Sequence, residues 1–197
     1  GTAVVTEFDR IAHVERELNP MELPEPSGRL WVDEQLFPGS STTSTLTLPN
    51  RVAGEPVRLK STVFGASRSP SSFTVTVNGS TVLTQSIASI GGGTYDDVAA
   101  SDRRETTVST TGTTLDVVHT YTASTAQARG WLDCVTALAR SRLELVNGRL
   151  LFRDMRSVGS GLIDLSVGNA SSSTRVWVVT VPDSVRAVTT SLQGGRM

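Results

Sequence analysis

The segment over residues 72–88 constrains the fold more than any other part of this sequence. Phe73, Val75 and Val77 alternate with polar residues, which is the two-residue period of a strand with one buried face. Asn78-Gly79 follows, and both residues tolerate the positive φ angles of a two-residue hairpin turn. A second run returns over 81–87. The segment therefore predicts an antiparallel hairpin.

Composition extends this prediction to the whole chain. Among 197 residues there are 26 Thr, 24 Ser and 24 Val, together over a third of the sequence. β-branched residues favour pleated strands, and short polar residues favour turns. There is one lysine, Lys60, and the other common helix formers are sparse. The composition predicts an all-β protein with enough chain for a sizeable core.

Turn residues divide the rest of the chain into strands. Gly112 and Asn147-Gly148 predict two further hairpins, the second between 143–145 and 150–152. Other strands are predicted over 2–8, 29–37, 40–48, 57–66, 105–111, 114–122, 160–167, 174–181 and 185–192. We therefore predict an antiparallel β-sandwich, jelly-roll-like, with about twelve strands and at most one short helix. We predict a single domain over 1–197, cut from a longer secreted protein.

Three segments are less regular. Residues 8–18 are compatible with an extended segment or a short helix, and the three prolines of 19–27 predict a loop. In 126–145, Trp131, Val135 and Leu138 also fit a helical stripe. The hairpin signal after this segment favours a strand, which is our interpretation.

Charge and rare residues limit the possible functions. The net charge is −1 and the isoelectric point about 6.2, so the basic excess of a nucleic-acid binder is missing. No apolar run reaches the 18 residues that a membrane span needs. Cys134 is the one cysteine and His13 and His119 the two histidines, which excludes an internal disulfide and leaves little for a zinc site. We expect no cofactor.

Cys134 with His119 is the one possible cysteine–histidine pair. A nucleophilic cysteine needs a base within reach and a lowered pKa. Cys134 lies in Leu132-Asp133-Cys134-Val135, in the middle of a predicted element and among apolar neighbours, a setting typical of a buried structural thiol. We therefore expect a structural role and assign no catalytic residue to this chain.

Acidic residues offer two further hypotheses. Calcium binds clustered carboxylates in flexible loops, and the weak candidates in and beside the Gly-rich loop over 91–98 are Asp96, Asp97 and Asp102. Our interpretation is a solvated loop, since the EF-hand spacing is not present. Pairs of carboxylates suited to glycoside hydrolysis are Glu15 with Glu17 and Asp33 with Glu34, and we interpret both as surface charge.

Aromatic side chains could form a carbohydrate-stacking face, because sandwich folds do serve as sugar-binding modules. The candidates are Trp31, Tyr95, Trp131 and Trp177. Trp31 and Trp177 lie in strand patterns where burial is the simpler interpretation, so we predict core positions. A free-standing carbohydrate-binding or adhesin-like module is the alternative function.

Several motifs, in this order, resemble one family. They are RIAHVERELNP at 10–20, SGRLWVDE at 27–34, ARGWLD at 128–133, RSRL at 140–143, LLFR at 150–153 and VWVVTVP at 176–182. Together they are similar to the N-terminal region of PorU-like sortases of the type IX secretion system, gingipain-family cysteine peptidases of Bacteroidetes. The motif residues are Arg10, His13, Glu15, Glu17, Ser27, Gly28, Arg29, Trp31, Glu34, Leu132, Asp133, Arg142, Phe152 and Trp177.

The resemblance implies an exported protein at the outer-membrane surface or outside the cell. It also implies that the catalytic His and Cys lie downstream, in an α/β peptidase domain, so none maps onto this chain. The expected partners are that peptidase domain, the C-terminal sorting domains of secreted cargo, or an outer-membrane shuttle protein. For the motif residues we expect structural roles: Gly28 turning into a strand, Trp31 anchoring it, and Arg10 or Arg29 pairing with Glu15, Glu17 or Glu34.

Overall fold

The computed structural model describes residues 3–20, 31–93, 96–159, 161, 163–181 and 183–197. Within these ranges every regular element is a strand, which confirms the all-β prediction. The strands are β1 (Ala3–Val5), β2 (Glu7–Glu15), β3 (Asn19–Pro20), β4 (Trp31–Val32), β5 (Ser41–Thr47), β6 (Val57–Ala66), β7 (Ser71–Val77), β8 (Ser80–Ile87), β9 (Ala100–Val108), β10 (Thr114–Ala123), β11 (Arg129–Arg142), β12 (Ile163–Leu165), β13 (Val176–Val178) and β14 (Arg186–Val188).

The chain divides into two compact units. Unit 1 comprises Gly1–Arg10, Pro49–Val52 and Arg140–Met197, and unit 2 comprises Ile11–Leu48 and Ala53–Ala139. The expectation of a single domain stays a prediction beside this division. β2 and β11 each have residues in both units.

Unit 2 contains an antiparallel sandwich, as predicted. Sheet I has the strand order β5-β10-β7-β8, and sheet II has the order β2-β11-β6-β9. Alternate residues of each strand point inward, because successive side chains of a strand face opposite sides of the sheet. The first core cluster is aliphatic and draws on both sheets, with Leu46, Val75 and Leu115 from sheet I and Leu59 and Val135 from sheet II.

A second core cluster of unit 2 is built around two aromatic rings. Phe73 and Tyr121 have ring centroids 4.9 Å apart, and Leu132 and Val63 pack against them. Gly130 passes directly over these rings. A Cβ atom at Gly130 would lie 2.6 Å from Tyr121 Cδ2 and 2.8 Å from Phe73 Cζ, closer than side chains tolerate.

We expect Gly130→Ala to destabilise the fold by about 1–3 kcal/mol, because the added methyl group must displace two fully buried rings. Urea unfolding measures the change. The matched control is Gly112→Ala, whose Cβ would meet Thr114 O at an ordinary 3.5 Å. Equal urea midpoints for the two variants would show that the Phe73 and Tyr121 rings can move aside without loss of stability.

Unit 1 has a small core and short strands. β1 pairs in parallel with β12, and β13 pairs antiparallel with β14. The Phe8 ring is buried, meets Phe152 edge-on with centroids 6.0 Å apart, and lies under the Arg10 guanidinium at 4.9 Å. The end of the chain is held by a reciprocal backbone pair, with Val167 N donating to Met197 O and Met197 N to Val167 O.

Two strand predictions are confirmed in detail. β7 and β8 form the hairpin about Asn78-Gly79, whose φ angles are 49° and 83°. Residues 129–142 form one strand, β11, so the strand interpretation of 126–145 was right and the helical stripe was not. Residues 8–18 likewise lie largely in β2.

Three other predictions were wrong. The runs on either side of Gly112 do not form a hairpin, since β9 pairs with β6 in sheet II while β10 pairs with β5 and β7 in sheet I. The described part of 29–37 is a strand only at Trp31–Val32. Asn147-Gly148 does make a tight turn with a Val146–Arg149 bridge, but no strand flanks it at 150–152.

Candidate functional site

Cys134 and His119 do not form a pair. Cys134 Sγ donates to Thr62 Oγ1 at 3.7 Å, whereas His119 Nε2 lies 2.9 Å from Ser61 Oγ. Ser61 and Thr62 are consecutive residues of β6, so they face opposite sides of sheet II. His119 therefore lies between the sheets and Cys134 on the outer face.

The surroundings of Cys134 disfavour a thiolate. Burial raises the pKa of the Cys134 thiol, and the nearby Asp133 carboxylate raises it further. A raised pKa lowers the thiolate fraction that nucleophilic attack requires. Cys134 thus has a raised pKa and a partner other than His119, and its structural role stays a prediction.

We expect native Cys134 to react with a thiol reagent at neutral pH far more slowly than the unfolded chain does, and Cys134→Ser to retain the fold. The raised pKa and the partial burial both slow the native reaction. Absorbance of the released chromophore follows the rate, with the denatured protein as reference. Labelling at the unfolded rate would contradict the structural role.

Three of the motif residues meet on the outer face of sheet II. His13 Nδ1 lies 2.7 Å from Thr136 Oγ1, and His13 Nε2 lies 3.1 Å from Glu15 Oε2. Asp133 lies near both residues. Burial raises the pKa of Asp133, the charge of Glu15 raises this pKa further, and His13 lowers it. The described residues contain no group of three side chains placed to hold a metal ion. This outer-face cluster is a polar network across neighbouring strands.

Asp33 and Glu34 do not act as a pair of carboxylates. Asp33 is buried and accepts hydrogen bonds from Arg16 Nη2 at 2.5 Å and Thr42 Oγ1 at 3.3 Å, while Glu34 is exposed. The role of Arg16 could not be predicted from the sequence, because an arginine in a charged stretch carries no signal of a buried partner. Arg10 Nε donates to Ser141 Oγ at 3.2 Å, and Arg29 lies outside the described residues, so the pairing of Arg10 or Arg29 with a motif glutamate stays a prediction.

The acidic loop uses its carboxylates locally. Asp96 Oδ2 accepts the Gly93 N–H at 2.5 Å, and Asp102 Oδ2 accepts from Arg104 Nε at 2.8 Å. Asp97 is exposed. The structure thus brings no three of these carboxylates to one point among the residues it describes.

Two of the tryptophans are exposed, so their predicted core positions were wrong. Trp31 is 43% exposed and Trp177 55% exposed, whereas Trp131 is buried against Val32. Trp31 belongs to a two-residue strand, so its ring is not held between two sheets. Tyr95 lies outside the described residues.

The remaining motif residues have separate settings. Leu132 is in the core of unit 2, and Phe152 packs on Phe8 in unit 1. Glu17 and Arg142 are exposed. Ser27, Gly28 and Arg29 lie outside the described residues.

A buried ion-pair cluster holds unit 1 together. Arg140 Nη1 donates to Asp9 Oδ1 at 2.9 Å and to Asp154 Oδ1 at 2.6 Å, and Glu7 lies 3.8 Å from its Nε. Burial opposes the Arg140 charge, but the bonds from Asp154 and Asp9 outweigh it and raise the pKa of Arg140. Likewise burial raises the pKa of Asp9, and the Met155 N–H with Arg140 more than reverses this, leaving that pKa below its ordinary value.

Large apolar side chains are exposed in the C-terminal part of unit 1, and together we call them the apolar surface. Eleven large apolar side chains between residues 151 and 192 are exposed, whereas three apolar side chains of the described part of unit 1 are buried: Phe8, Leu143 and Val167. Two open hollows of about 590 and 570 Å³ lie here and share Leu151, Phe152, Trp177 and Val179 in their walls. The exposed members are Leu151, Met155, Val158, Leu165, Trp177, Val178, Val179, Val181, Val185, Val188 and Leu192.

The described residues thus form an antiparallel β-sandwich in unit 2, and unit 1 exposes large apolar side chains in its C-terminal part. No protein-family model and no curated protein matches the sequence.

Among solved structures, the fold is similar to that of PorU. The crystal structure of dimeric latent PorU from Porphyromonas gingivalis matches with a TM-score of 0.77 at 14% identity, over 98% of this chain and 19% of that chain. This chain thus spans about a fifth of the PorU crystal chain. The similarity shows a PorU-like fold.

Two carbohydrate-binding modules are more distant. The CBM36-1 domain of a multidomain xylanase from the hindgut metagenome of Trinervitermes trinervoides matches with a TM-score of 0.40 and 11% identity, over 66% of this chain and 95% of that one. CBM36 in complex with calcium and xylotriose matches with a TM-score of 0.37 and 8% identity, over 68% and 99%.

The part of the chain that the structure describes contains no helix with the length and apolarity that a membrane crossing requires.

Proposed function

We propose that this chain is a non-catalytic β-sandwich module of a larger PorU-like protein, and that its apolar surface packs against another domain of the same polypeptide. The observation that carries the proposal is the apolar surface of unit 1. A similar fold occupying 19% of the PorU crystal chain supports the view that such a module belongs to a longer protein.

The burial pattern of unit 1 supports this view energetically. A soluble unit normally buries its large apolar side chains, since each buried side chain stabilises the fold by about 1.5–3 kcal/mol. Unit 1 does the opposite between residues 151 and 192, where Trp177 and Leu151 face solvent. Leu151, Trp177 and Val179 line the same two hollows, and exposed apolar side chains grouped in this way mark sites of contact with other proteins or domains.

The β13–β14 hairpin gives a second reason. Each strand has three residues, and most of their side chains are exposed. An isolated two-stranded hairpin is marginal in water unless its apolar face packs on something. We infer that a packing partner stabilises this hairpin in the complete protein.

The motif resemblance suggests the partner. In PorU-like sortases of the type IX secretion system an α/β cysteine-peptidase domain follows this region, and we propose such a domain as the neighbour. From the same resemblance we propose a location at the outer-membrane surface or outside the cell. Cargo C-terminal sorting domains and an outer-membrane shuttle protein are the further partners we propose.

Hydrogen exchange of the natural full-length gene product tests the packing. We expect amides over 150–192 to exchange much more slowly in the full-length protein than in this chain alone, because the apolar surface is covered there. Amides near Ile11, which is exposed in unit 2, serve as the internal reference. Equal exchange over 150–192 in the two proteins would refute the proposed packing.

A matched pair of variants sharpens this test. Trp177→Ser should change the stability of this chain alone by no more than about 0.5 kcal/mol, since the side chain is exposed. In the full-length protein the same change should speed limited proteolysis between the domains. Ile11→Ser, at a comparably exposed apolar residue of unit 2, should not speed this proteolysis.

If this chain alone cleaves peptides, the non-catalytic assignment is wrong.

The second candidate function is carbohydrate binding, which the exposed Trp31 favours. An exposed indole is a suitable stacking surface for a sugar ring. Titration calorimetry with xylan and other soluble glycans would reveal saturable binding, and Trp31→Ala should abolish it while the buried-ring control Phe73→Leu should not. Binding that survives Trp31→Ala would exclude this site.

A further inference from the structure

The two sheets of unit 2 differ sharply in charge. The four strands of sheet I contain 32 residues and one formally charged side chain, Asp116. The four strands of sheet II contain 42 residues and fourteen charged side chains. With 19% of the whole sequence charged, sheet I is strongly depleted. Its solvent face consists mainly of serine and threonine hydroxyls.

β5 is an edge strand of this uncharged sheet. Natural edge strands are usually guarded by charges, prolines or bulges, because their unpaired backbone groups bind other strands. β5 has the sequence STTSTLT and carries none of these guards. By contrast β2, an edge strand of sheet II, carries four charged residues.

The hydrogen-bond alternation shows which groups of β5 are free. Leu48 N donates to Thr113 O at 2.7 Å, in register with the pairing of Thr47 and Thr114. In an antiparallel ladder every second residue bonds to the neighbouring strand, so Leu46, Ser44 and Thr42 point their backbone groups toward β10. The backbone groups that point to the open side belong to Ser41, Thr43, Thr45 and Thr47.

The opposite edge of sheet I is already engaged. On β8, Val82 O accepts a hydrogen bond from Thr106 Oγ1 at 3.4 Å. Gln85 Nε2 donates to Asp102 O at 3.1 Å. Both partners lie on β9 of sheet II, so side chains close the sandwich there. At the β5 edge Arg16 Nη2 donates to the Thr42 side chain at 2.6 Å, but the outward backbone groups of Ser41, Thr43, Thr45 and Thr47 have no hydrogen-bond partner among the described residues.

Ser44 supplies an independent observation at the middle of β5. Its side chain faces the sandwich interior and is 3% exposed. Its Oγ has no hydrogen-bond partner among the described residues. A buried hydroxyl without a partner is destabilising, so pairing with a second strand that supplies a hydrogen bond to it is favourable.

We propose that two copies of this chain pair antiparallel through β5, about a two-fold axis that passes between their Ser44 residues. In this register Thr43 faces Thr45 and Ser41 faces Thr47 of the other copy. Each facing pair uses the open backbone groups of both strands. The proposal rests on unit 2 alone and does not depend on the proposed packing of unit 1.

The symmetric register also satisfies the buried serine. Ser44 of one copy would face Ser44 of the other copy in a non-hydrogen-bonded pair. In such a pair the two Cα atoms lie about 4.5 Å apart and the side chains are closest. The two Oγ atoms then bond to each other. Threonine pairs on the solvent face stabilise the strand pairing further. No like charges oppose the approach, because β5 carries none.

The pairing would be weak. Stable protein interfaces bury about 1,200–2,000 Å², and one seven-residue strand pair buries less. We therefore expect a monomer–dimer equilibrium that sedimentation velocity detects as a rising sedimentation coefficient with concentration. A chain that stays monomeric up to its solubility limit would overturn the proposal.

Cross-linking captures even a weak dimer and tests the register. Ser44→Cys, made in a Cys134→Ser background, should form a covalent dimer on mild oxidation, since a Cα separation of about 4.5 Å suits a disulfide. The control is Thr47→Cys in the same background. In the proposed register Thr47 faces Ser41 of the other copy, so the Thr47 residues of the two copies lie at opposite ends of the strand pair. Thr47 is the more exposed site, so collisions alone would favour dimers of the control. Dimers of Ser44→Cys no more abundant than those of Thr47→Cys would overturn the register.

Charge substitutions test the edge itself. Thr43→Lys with Thr45→Lys should make the chain monomeric by repulsion, as should Thr43→Glu with Thr45→Glu. Mixing the two variants should restore a dimer, because opposite charges then face each other. Thr74→Lys with Thr76→Lys, on the same solvent face but in the inner strand β7, should leave dimerisation intact. A dimer that survives lysines at 43 and 45, or is lost equally with lysines at 74 and 76, would exclude pairing through β5.

Discussion

Arg140→Ala is expected to lower the free energy of unfolding by about 3–5 kcal/mol. The change leaves Asp154, whose side chain is 4% exposed, without the guanidinium that neutralises it. It also removes the bond from Arg140 to Asp9, whose pKa the intact cluster holds low. Losing one partner of a buried ion pair costs far more than the pair contributes, because an uncompensated charge stays in a poorly solvated site. Chemical denaturation measures the loss.

The neighbouring arginine provides the control. Arg142 is exposed, so Arg142→Ala should shift stability by no more than about 0.5 kcal/mol. Removing the charges together, with Arg140→Met, Asp9→Asn and Asp154→Asn, should recover part of the loss. If Arg140→Ala behaves like Arg142→Ala, the cluster does not hold unit 1 together.

Acidification from pH 6.5 to pH 4 is expected to cost about 3 kcal/mol of stability through His119 alone. Burial lowers the pKa of His119 from 6.5 to about 4, and the Asp33 charge only partly opposes this. Between these values the unfolded chain binds a proton that the folded protein does not. The His119 contribution is therefore fully present above pH 6.5 and is lost as the pH falls toward 4.

Thermal unfolding at a series of pH values measures this loss. His119→Gln keeps a side chain able to bond Ser61 but cannot titrate, so its stability should fall less than that of the wild type over the same pH range. His13→Gln, at the exposed histidine, should retain the wild-type difference between pH 6.5 and 4. Parallel pH profiles for His119→Gln and the wild type would show that His119 is not buried in its neutral form.

Local patterns predicted the strands wherever apolar and polar residues alternate over a long run. Phe73, Val75 and Val77 with Asn78-Gly79 specified both the buried face and the turn, and β7–β8 forms as expected. Gly112 shows the limit of the same reasoning. A turn signal says that the chain reverses or bends, but not that the flanking strands pair, and here they join different sheets.

The candidate sites show a similar division. The structural role expected of Cys134 followed from its apolar neighbours, and it stays a prediction beside the raised pKa of the thiol. The role of Asp33 did not follow, because its partners Arg16 and Thr42 are 17 and 9 residues away and meet it only in the folded chain. The exposure of Trp177 was likewise unpredictable, since its strand has an apolar pattern without the further layer that would bury it.

Alternation, β-branched composition and turn residues therefore determined that this chain folds into antiparallel strands, and which residues of the long strands face inward. Only the tertiary structure decided which strands are neighbours, where charges meet, and that eleven large apolar side chains between residues 151 and 192 of unit 1 are exposed. The physical reason is that side-chain periodicity depends on adjacent residues, whereas pairing and burial depend on groups far apart in the sequence. The open edge of β5 and the unpartnered Ser44 belong to this second kind, because an edge exists only once the order of the strands is known.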